Sequence, residues 1–255
     1  AIANFSPTET NNNDNNDRYH AVSAAGEGIE LIGLAGGDNV SLEANEFSID
    51  INGGRDGAAL NFRALPEGSL PLVVGEKTFI FDHASTVQRV AVHDATLAIA
   101  DFIYVSGGFA FERQASLNMS LDDTAGTTRE MTITTLSAGS VDMFVGSGDY
   151  FVDSDEDGDV DGMDERNEEA VGLALDNVNF AWLMMRPEEA AYRSINYSAF
   201  KGSVDKAGLV GLDLIDLSAQ DVLIEYNGVS NRFNAEDTAA IDFTQLDEGS
   251  YRVST

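Results

Sequence analysis

Apolar residues recur at every second position along most of this chain, and at intervals the phase of that alternation slips by one residue. Leu42 and Ala44 lead into Phe47, Ile49 and Ile51; Leu97 and Ile99 into Phe102 and Tyr104; Leu217 and Ala219 into Val222, Ile224 and Tyr226. Met131 and Ile133, then Val141, Met143 and Val145, and the run Val178, Phe180, Trp182 continue the pattern. A period of two puts successive side chains on opposite faces of a strand, so these segments predict half-buried β-strands. One extra residue sends every later side chain to the wrong face unless a bulge or corner absorbs it. Gly53-Gly54, Gly107-Gly108, Gly146 and Asn227-Gly228 are expected to close strands as turn positions. Residues 188 to 194 offer a single helical turn at most. The predicted class is all-β, as an elongated β-solenoid-like repeat, with β-sandwich modules as the alternative.

The sequence also repeats. Residues 19 to 34 (YHAVSAAGEGIELIGL) run beside 197 to 212 (YSAFKGSVDKAGLVGL), 42 to 53 beside 217 to 228, and 59 to 70 beside 240 to 251. Sixteen of these 40 positions are identical, against roughly two or three by chance at ordinary composition. The reading that follows has three parts: 1–18 as a linker or the end of a preceding unit, 19–196 as a full β repeat unit, and 197–255 as the start of the next. An old duplication inside one self-contained domain is the alternative. The tract NNNDNND (Asn11 to Asp17) reads as a solvated connector.

Charge narrows the partners. Acids number 44 against 14 Lys and Arg, for a net charge of −30. Nucleic acid and anionic membrane surfaces are therefore poor partners. Hydrophobic content of 43% is too high for a disordered acidic tail. The charge must coat a folded body and repels itself unless salt or bound cations screen it, which points to a saline or calcium-rich setting. Cysteine is absent, so disulfides, thiolate metal sites and cysteine nucleophiles are excluded. No apolar run reaches the length of a membrane span, so no membrane insertion is expected.

A third of the charge excess is concentrated in residues 149 to 169, which carry eleven acids and one Arg. Within them Asp153 to Glu165 reads DSDEDGDVDGMDE. In a twelve-residue calcium loop, positions 1, 3 and 5 give oxygen ligands and a glycine at 6 allows the sharp turn. Position 7 gives a backbone carbonyl, and 9 and 12 complete the shell. Those places here are Asp153, Asp155, Asp157, Gly158, Asp159, Asp161 and Asp164. Ca2+ is the predicted ion, with Asp159 contributing its carbonyl and the other five aspartates their side chains. Position 12 is Asp164 where Glu is usual, which loosens the shell. Tyr150-Phe151-Val152 before the loop and Ala170 to Leu175 after it read as strands, so the loop is expected on a β-hairpin.

No other motif competes. His20, His83 and His93 show no metal-ligand spacing, and GxSxG, P-loop, dinucleotide and HExxH patterns are missing. Adjacent acids such as Asp122-Asp123 are expected by chance at this composition, and Trp182, alternating with Phe180 and Met184, reads as core. No catalytic residue is assigned.

The segments VDMFVGSGDYFV (141–152), the DSDEDGDVDGMD loop, AVGLALDNVNFAWLMMRP (170–187), YSAF with GLVGL, and DFIYVSGGFAFER (101–113) together resemble the tandem-repeat modules of giant bacterial surface or secreted adhesin-like proteins. The resemblance implies a spacer that calcium extends and stiffens, with adhesive or anchoring parts elsewhere. It departs from the glycine-rich nonapeptide pattern of calcium-dependent secreted toxins. The functional expectation is a calcium-stabilised, non-catalytic structural module of an extracellular or cell-surface fibre or stalk. Its partners would be neighbouring copies of the same repeat, through self-association into fibres, and surface glycans. The alternatives are a carbohydrate-binding or carbohydrate-cleaving β-domain and a self-polymerising filament subunit.

Overall fold

The computed structural model describes residues 1–5, 18–30, 40–54, 59–99, 103–152, 154, 165–167, 169–212, 217–231, 233 and 239–245. Among these, 73% are in strands and 5% in short helices, as the alternation requires. The strands are β1 (Ile2–Phe5), β2 (Tyr19–Glu30), β3 (Val40–Gly54), β4 (Leu70–Val74), β5 (Lys77–Phe81), β6 (Val87–Ile99) and β7 (Ile103–Ser120). They continue as β8 (Thr128–Ser147), β9 (Phe151–Val152), β10 (Glu165–Arg166), β11 (Val171–Pro187), β12 (Ile195–Val210) and β13 (Ser218–Asn231).

Nine of them form one antiparallel sheet in the order β1-β2-β3-β6-β7-β8-β11-β12-β13, which does not close into a barrel. Each sheet strand pairs with its sequence neighbour, so the sheet is a meander. Two hairpins interrupt it: β4–β5 between β3 and β6, and β9–β10 between β8 and β11. No helix of the described residues is long and apolar enough to cross a membrane.

Residues of left-handed backbone lie in line across the sheet, and at three points along that line the register shifts as at a bulge. Asp94 on β6 (φ 50°), Ser140 on β8 (φ 51°), Asn177 on β11 (φ 52°) and Asp221 on β13 (φ 53°) take left-handed backbone, as does Gly107 on β7 (φ 142°). Register shifts fall at Val92/Ala95, Ser106/Gly108 and Leu175/Val178. Asn and Asp tolerate this conformation, and here they also bond across it. The Asn177 amide donates to Asp142 Oδ1 at 2.8 Å, and the Ser140 amide to Asn179 Oδ1 at 2.9 Å. One interruption is of another kind: between Ile99 and Ile103 the chain turns, and those two residues face each other across the β6–β7 hairpin. Of the glycines expected in turns, Gly107-Gly108 lie inside β7, Gly228 inside β13 and Gly146 inside β8 opposite Gly172, where a Cβ on Gly146 would meet the Val171 carbonyl oxygen at 2.3 Å. Close backbone approach, not positive φ, is what that position requires.

The core is divided. One cluster gathers Met131, Ile133, Met185, Tyr197 and Ile241; another, Ala21, Phe62 and Phe81 beneath the β4–β5 hairpin; a third, Tyr104, Phe144, Tyr150 and Phe151 beneath the β9–β10 hairpin. Each hairpin seals a local patch of one face, and a fourth cluster, Ala138, Val141 and Val178, is buried among Phe109, Phe180 and Val204 of the sheet itself. Across the sheet runs the in-register row Val90, Phe111, Leu136, Trp182, Phe200, Tyr226. Trp182 is 41% exposed and Met184 38%, which corrects their assignment to the core: nothing among the described residues covers that face as the hairpins cover the other.

Candidate functional site

The hairpin that carries the acidic loop is short and firmly seated. Val152 pairs with Glu165 and Phe151 with Arg166. That register leaves residues 153 to 164 between the paired ends, the twelve positions of the calcium motif. The strand after the loop is thus β10, whereas 171 to 175, expected to close the hairpin, pair with 143 to 147 of β8. Ser154 Oγ accepts from the Glu165 amide at 3.0 Å, a further link across the stem.

Below the stem, aromatic rings fix its position. Phe144 and Tyr150 stack with centroids 4.5 Å apart, and Phe151 meets Tyr150 and Tyr104 edge-on at 4.8 and 5.0 Å. Such pairs add about 0.5–1.5 kcal/mol each beyond their buried area. Arg166 reaches from β10 to β11, where its guanidinium holds the Asp176 carboxylate at 2.7 and 3.3 Å. Its Cζ also lies 5.4 Å from the Tyr150 ring centre. Asn167 closes the base: its side chain donates to the Asp149 carbonyl at 2.8 Å and its amide to the Tyr150 carbonyl at 2.9 Å. The Tyr150 hydroxyl is buried with no hydrogen bond of normal geometry. Burial, which Arg166 only partly opposes, pushes it up to about 12.

Asp153, Asp155, Asp157, Gly158, Asp159, Asp161 and Asp164 lie outside the described residues. Among the described residues no group of three or more His, Asp and Glu side chains forms a metal cluster. Arg166, Asp176, Tyr150 and Asn167 were not singled out from the sequence. The available signal was Arg166 itself, the one cation within 149 to 169.

A second arrangement concerns the repeated segments. The eight pairs from Tyr19↔Gly54 to Gly26↔Phe47 in β2–β3 correspond, residue for residue at the sequence offsets, to Tyr197↔Val229 through Val204↔Val222 in β12–β13. The side-chain bonds correspond as well. Asn52 Nδ2 donates to the Leu60 carbonyl at 2.8 Å, and Asn227 Nδ2 to the Ile241 carbonyl at 2.8 Å. One-turn 3₁₀ helices follow at Phe62–Ala64 and Phe243–Gln245. The Asn61 side chain caps the first, and Asp242 Oδ1 accepts from the Thr244 amide in the second. At the other side, β1 lies on β2 as β11 lies on β12: Phe5↔Tyr19 matches Met185↔Tyr197. No family model, curated protein or solved structure matches the chain.

Proposed function

We propose that the chain is a structural repeat module of a large extracellular or cell-surface fibre or adhesin stalk, stabilised by calcium and without a catalytic role. The observation that carries this reading is the recurrence of one strand pair, with the same register and the same Asn-to-carbonyl bond, six sheet strands apart. A sheet in which the same strand pair recurs extends by adding units, with neighbouring copies of the repeat as its partners. At roughly 4.8 Å per strand, six strands advance about 29 Å. The form proposed is therefore elongated, solenoid-like in that each unit adds the same rise, with a packed β-sandwich as the alternative.

Calcium enters through the 153–164 loop. Asp153, Asp155, Asp157, Asp161 and Asp164 supply carboxylates, Asp159 its carbonyl and Gly158 the turn; the paired stem and a loop of matching length support this. The ion gathers carboxylates that otherwise repel, and the stem passes that order to β8 and β11 through the aromatic cluster and the Arg166–Asp176 pair. At weak extracellular affinity and ~10 mM calcium, linkage gives on the order of 1–3 kcal/mol.

Two measurements test the reading. Calorimetric melts with calcium and with chelator should differ by several degrees, and Asp157→Ala should remove most of the difference. Scattering from chains of one, two and three units should lengthen by about 29 Å per unit. A calcium-independent melt, or a maximum dimension that barely grows with unit number, refutes it. A second reading, carbohydrate binding, is favoured by the open row of Phe111, Trp182 and Tyr226, all more than 40% exposed. Trp182 is the one tryptophan, so quenching of its fluorescence by oligosaccharides would move that reading to first place.

A further inference from the structure

β13 ends the sheet, and no strand lies on its outer side among the described residues. Its counterpart β3 is not an edge: β6 covers it, with Ile49 opposite Val90, Asp50 opposite Arg89 and Asn52 opposite Val87. The difference shows in exposure. Ile49 and Ile51 are half-buried, while the matching Ile224 and Tyr226 are 54% and 57% exposed, and Leu223 is 57% exposed. Asn52 is 1% exposed, whereas Asn227, making the same bond, is exposed. An edge this long with so many apolar side chains and no proline is a template for pairing. What blunts it is the charge of Glu225 and the left-handed backbone at Asp221.

The charge pattern names the missing neighbour. In the first copy Asp50 takes Ser23 Oγ from β2 at 2.9 Å and Arg89 from β6 at 3.8 Å. In the second, Glu225 takes Lys201 from β12 at 2.8 Å, and its outer side faces the place that β6 would fill. We propose that the outer edge of β13 accepts a strand of the β6 type from the remainder of the repeat unit that β12 and β13 begin, in the register β6 holds on β3. An arginine then lies opposite Glu225 and a small apolar residue opposite Leu223. The second unit then continues the same sheet beyond β13, as β6 continues it beyond β3 in the first. This rests on the repeat reading above.

The chain has no cysteine, so a single introduced thiol reports on register. Leu223→Cys in the full chain is mixed, in chelator, with peptides of residues 87 to 99 carrying a thiopyridyl-activated cysteine at position 87, 91 or 95. The position-91 peptide should form the mixed disulfide at least tenfold faster than the other two. Glu225→Lys should slow it about fivefold, and an Arg89→Glu peptide should restore the rate. An intramolecular form avoids the cost of ordering a free peptide: residues 71–196 are joined again after Tyr251, with Ala91→Cys in the added segment alone and Leu223→Cys in the original chain. Here the two thiols should oxidise to one internal disulfide. Equal rates for the three peptides together with no internal disulfide overturn the proposal. Since this assay needs neither calcium nor a rod, its failure leaves the length-scaling result standing, and a compact three-unit chain leaves this one standing.

Discussion

Asn52 and Asn227 make the same bond in different surroundings, so replacing each by alanine measures what burial adds. Asn52 Nδ2 ties β3 to two segments, donating to the carbonyls of Leu60 at 2.8 Å and Ser85 at 2.9 Å. Each bond contributes about 1 kcal/mol net, and the two half-buried carbonyls left behind recover only part of their hydration. Its own Oδ1 is buried without a partner, so the substitution also removes one unsatisfied acceptor, which offsets some of the loss. The expected cost is about 2–3 kcal/mol. Asn227→Ala loses one bond at an exposed edge, where water replaces it, for about 0.5–1 kcal/mol. For a domain of this size ~1 kcal/mol moves the melting temperature about 2–4 °C. Calorimetry should therefore record a drop of about 4–12 °C for the first variant and under about 4 °C for the second. In the two-copy chain described above, β13 is covered and the Asn227→Ala cost should rise toward that of Asn52→Ala. Equal costs in the single chain would show that exposure does not separate the two sites, and the edge argument would lose its energetic basis.

Three further expectations follow from the geometry. Tyr150 stays protonated past the usual phenol range because its ionised form is desolvated, so its contribution to stability holds at pH 10 and is lost as pH rises toward 12. Spectrophotometric titration should show one tyrosine lagging the others and none lagging in Tyr150→Phe; a lag that survives the substitution contradicts the assignment. Gly107→Ala places a Cβ 2.7 Å from Val141 Cα at a φ of 142°, so it should cost several kcal/mol, whereas Gly126→Ala, with open space around it, should cost about 1 for its φ of 62° alone. Similar urea midpoints for the two would refute the packing argument. Glu112 is 8% exposed, and burial raises its pKa, Arg89 opposing and Asp50 reinforcing. The folded state prefers its neutral form, so its stabilising contribution is full below the ordinary carboxyl range and is lost as pH rises through the raised value. Glu112→Gln should therefore gain stability relative to the parent between pH 4 and pH 7, and a relative loss over that interval would reverse the sign.

The alternation and its slips were enough to determine strands, their bulges and an all-β class, because side-chain period and the facing of apolar residues are local properties of the chain. The slip between Ala219 and Val222 coincides with left-handed backbone at Asp221, while the slip between Ile99 and Phe102 falls at the turn between β6 and β7. The repeated blocks marked the strand pair that recurs, and the spacing of the loop's aspartates was legible because they are sequence neighbours. What tertiary structure decided was pairing across distance. Only the register shows that Glu165 and Arg166, not Ala170 to Leu175, close the loop's stem, and that Arg166 on one hairpin meets Asp176 on the next strand. Trp182 has the alternation of a core residue, and periodicity assigns it a face without saying whether anything covers that face. The sheet's insertions lie over the opposite side, so Trp182 stays open. Whether a strand is an edge is likewise invisible locally: β3 and β13 have related sequences, the same register on the preceding strand and the same Asn-to-carbonyl bond, yet only β3 has β6 beside it.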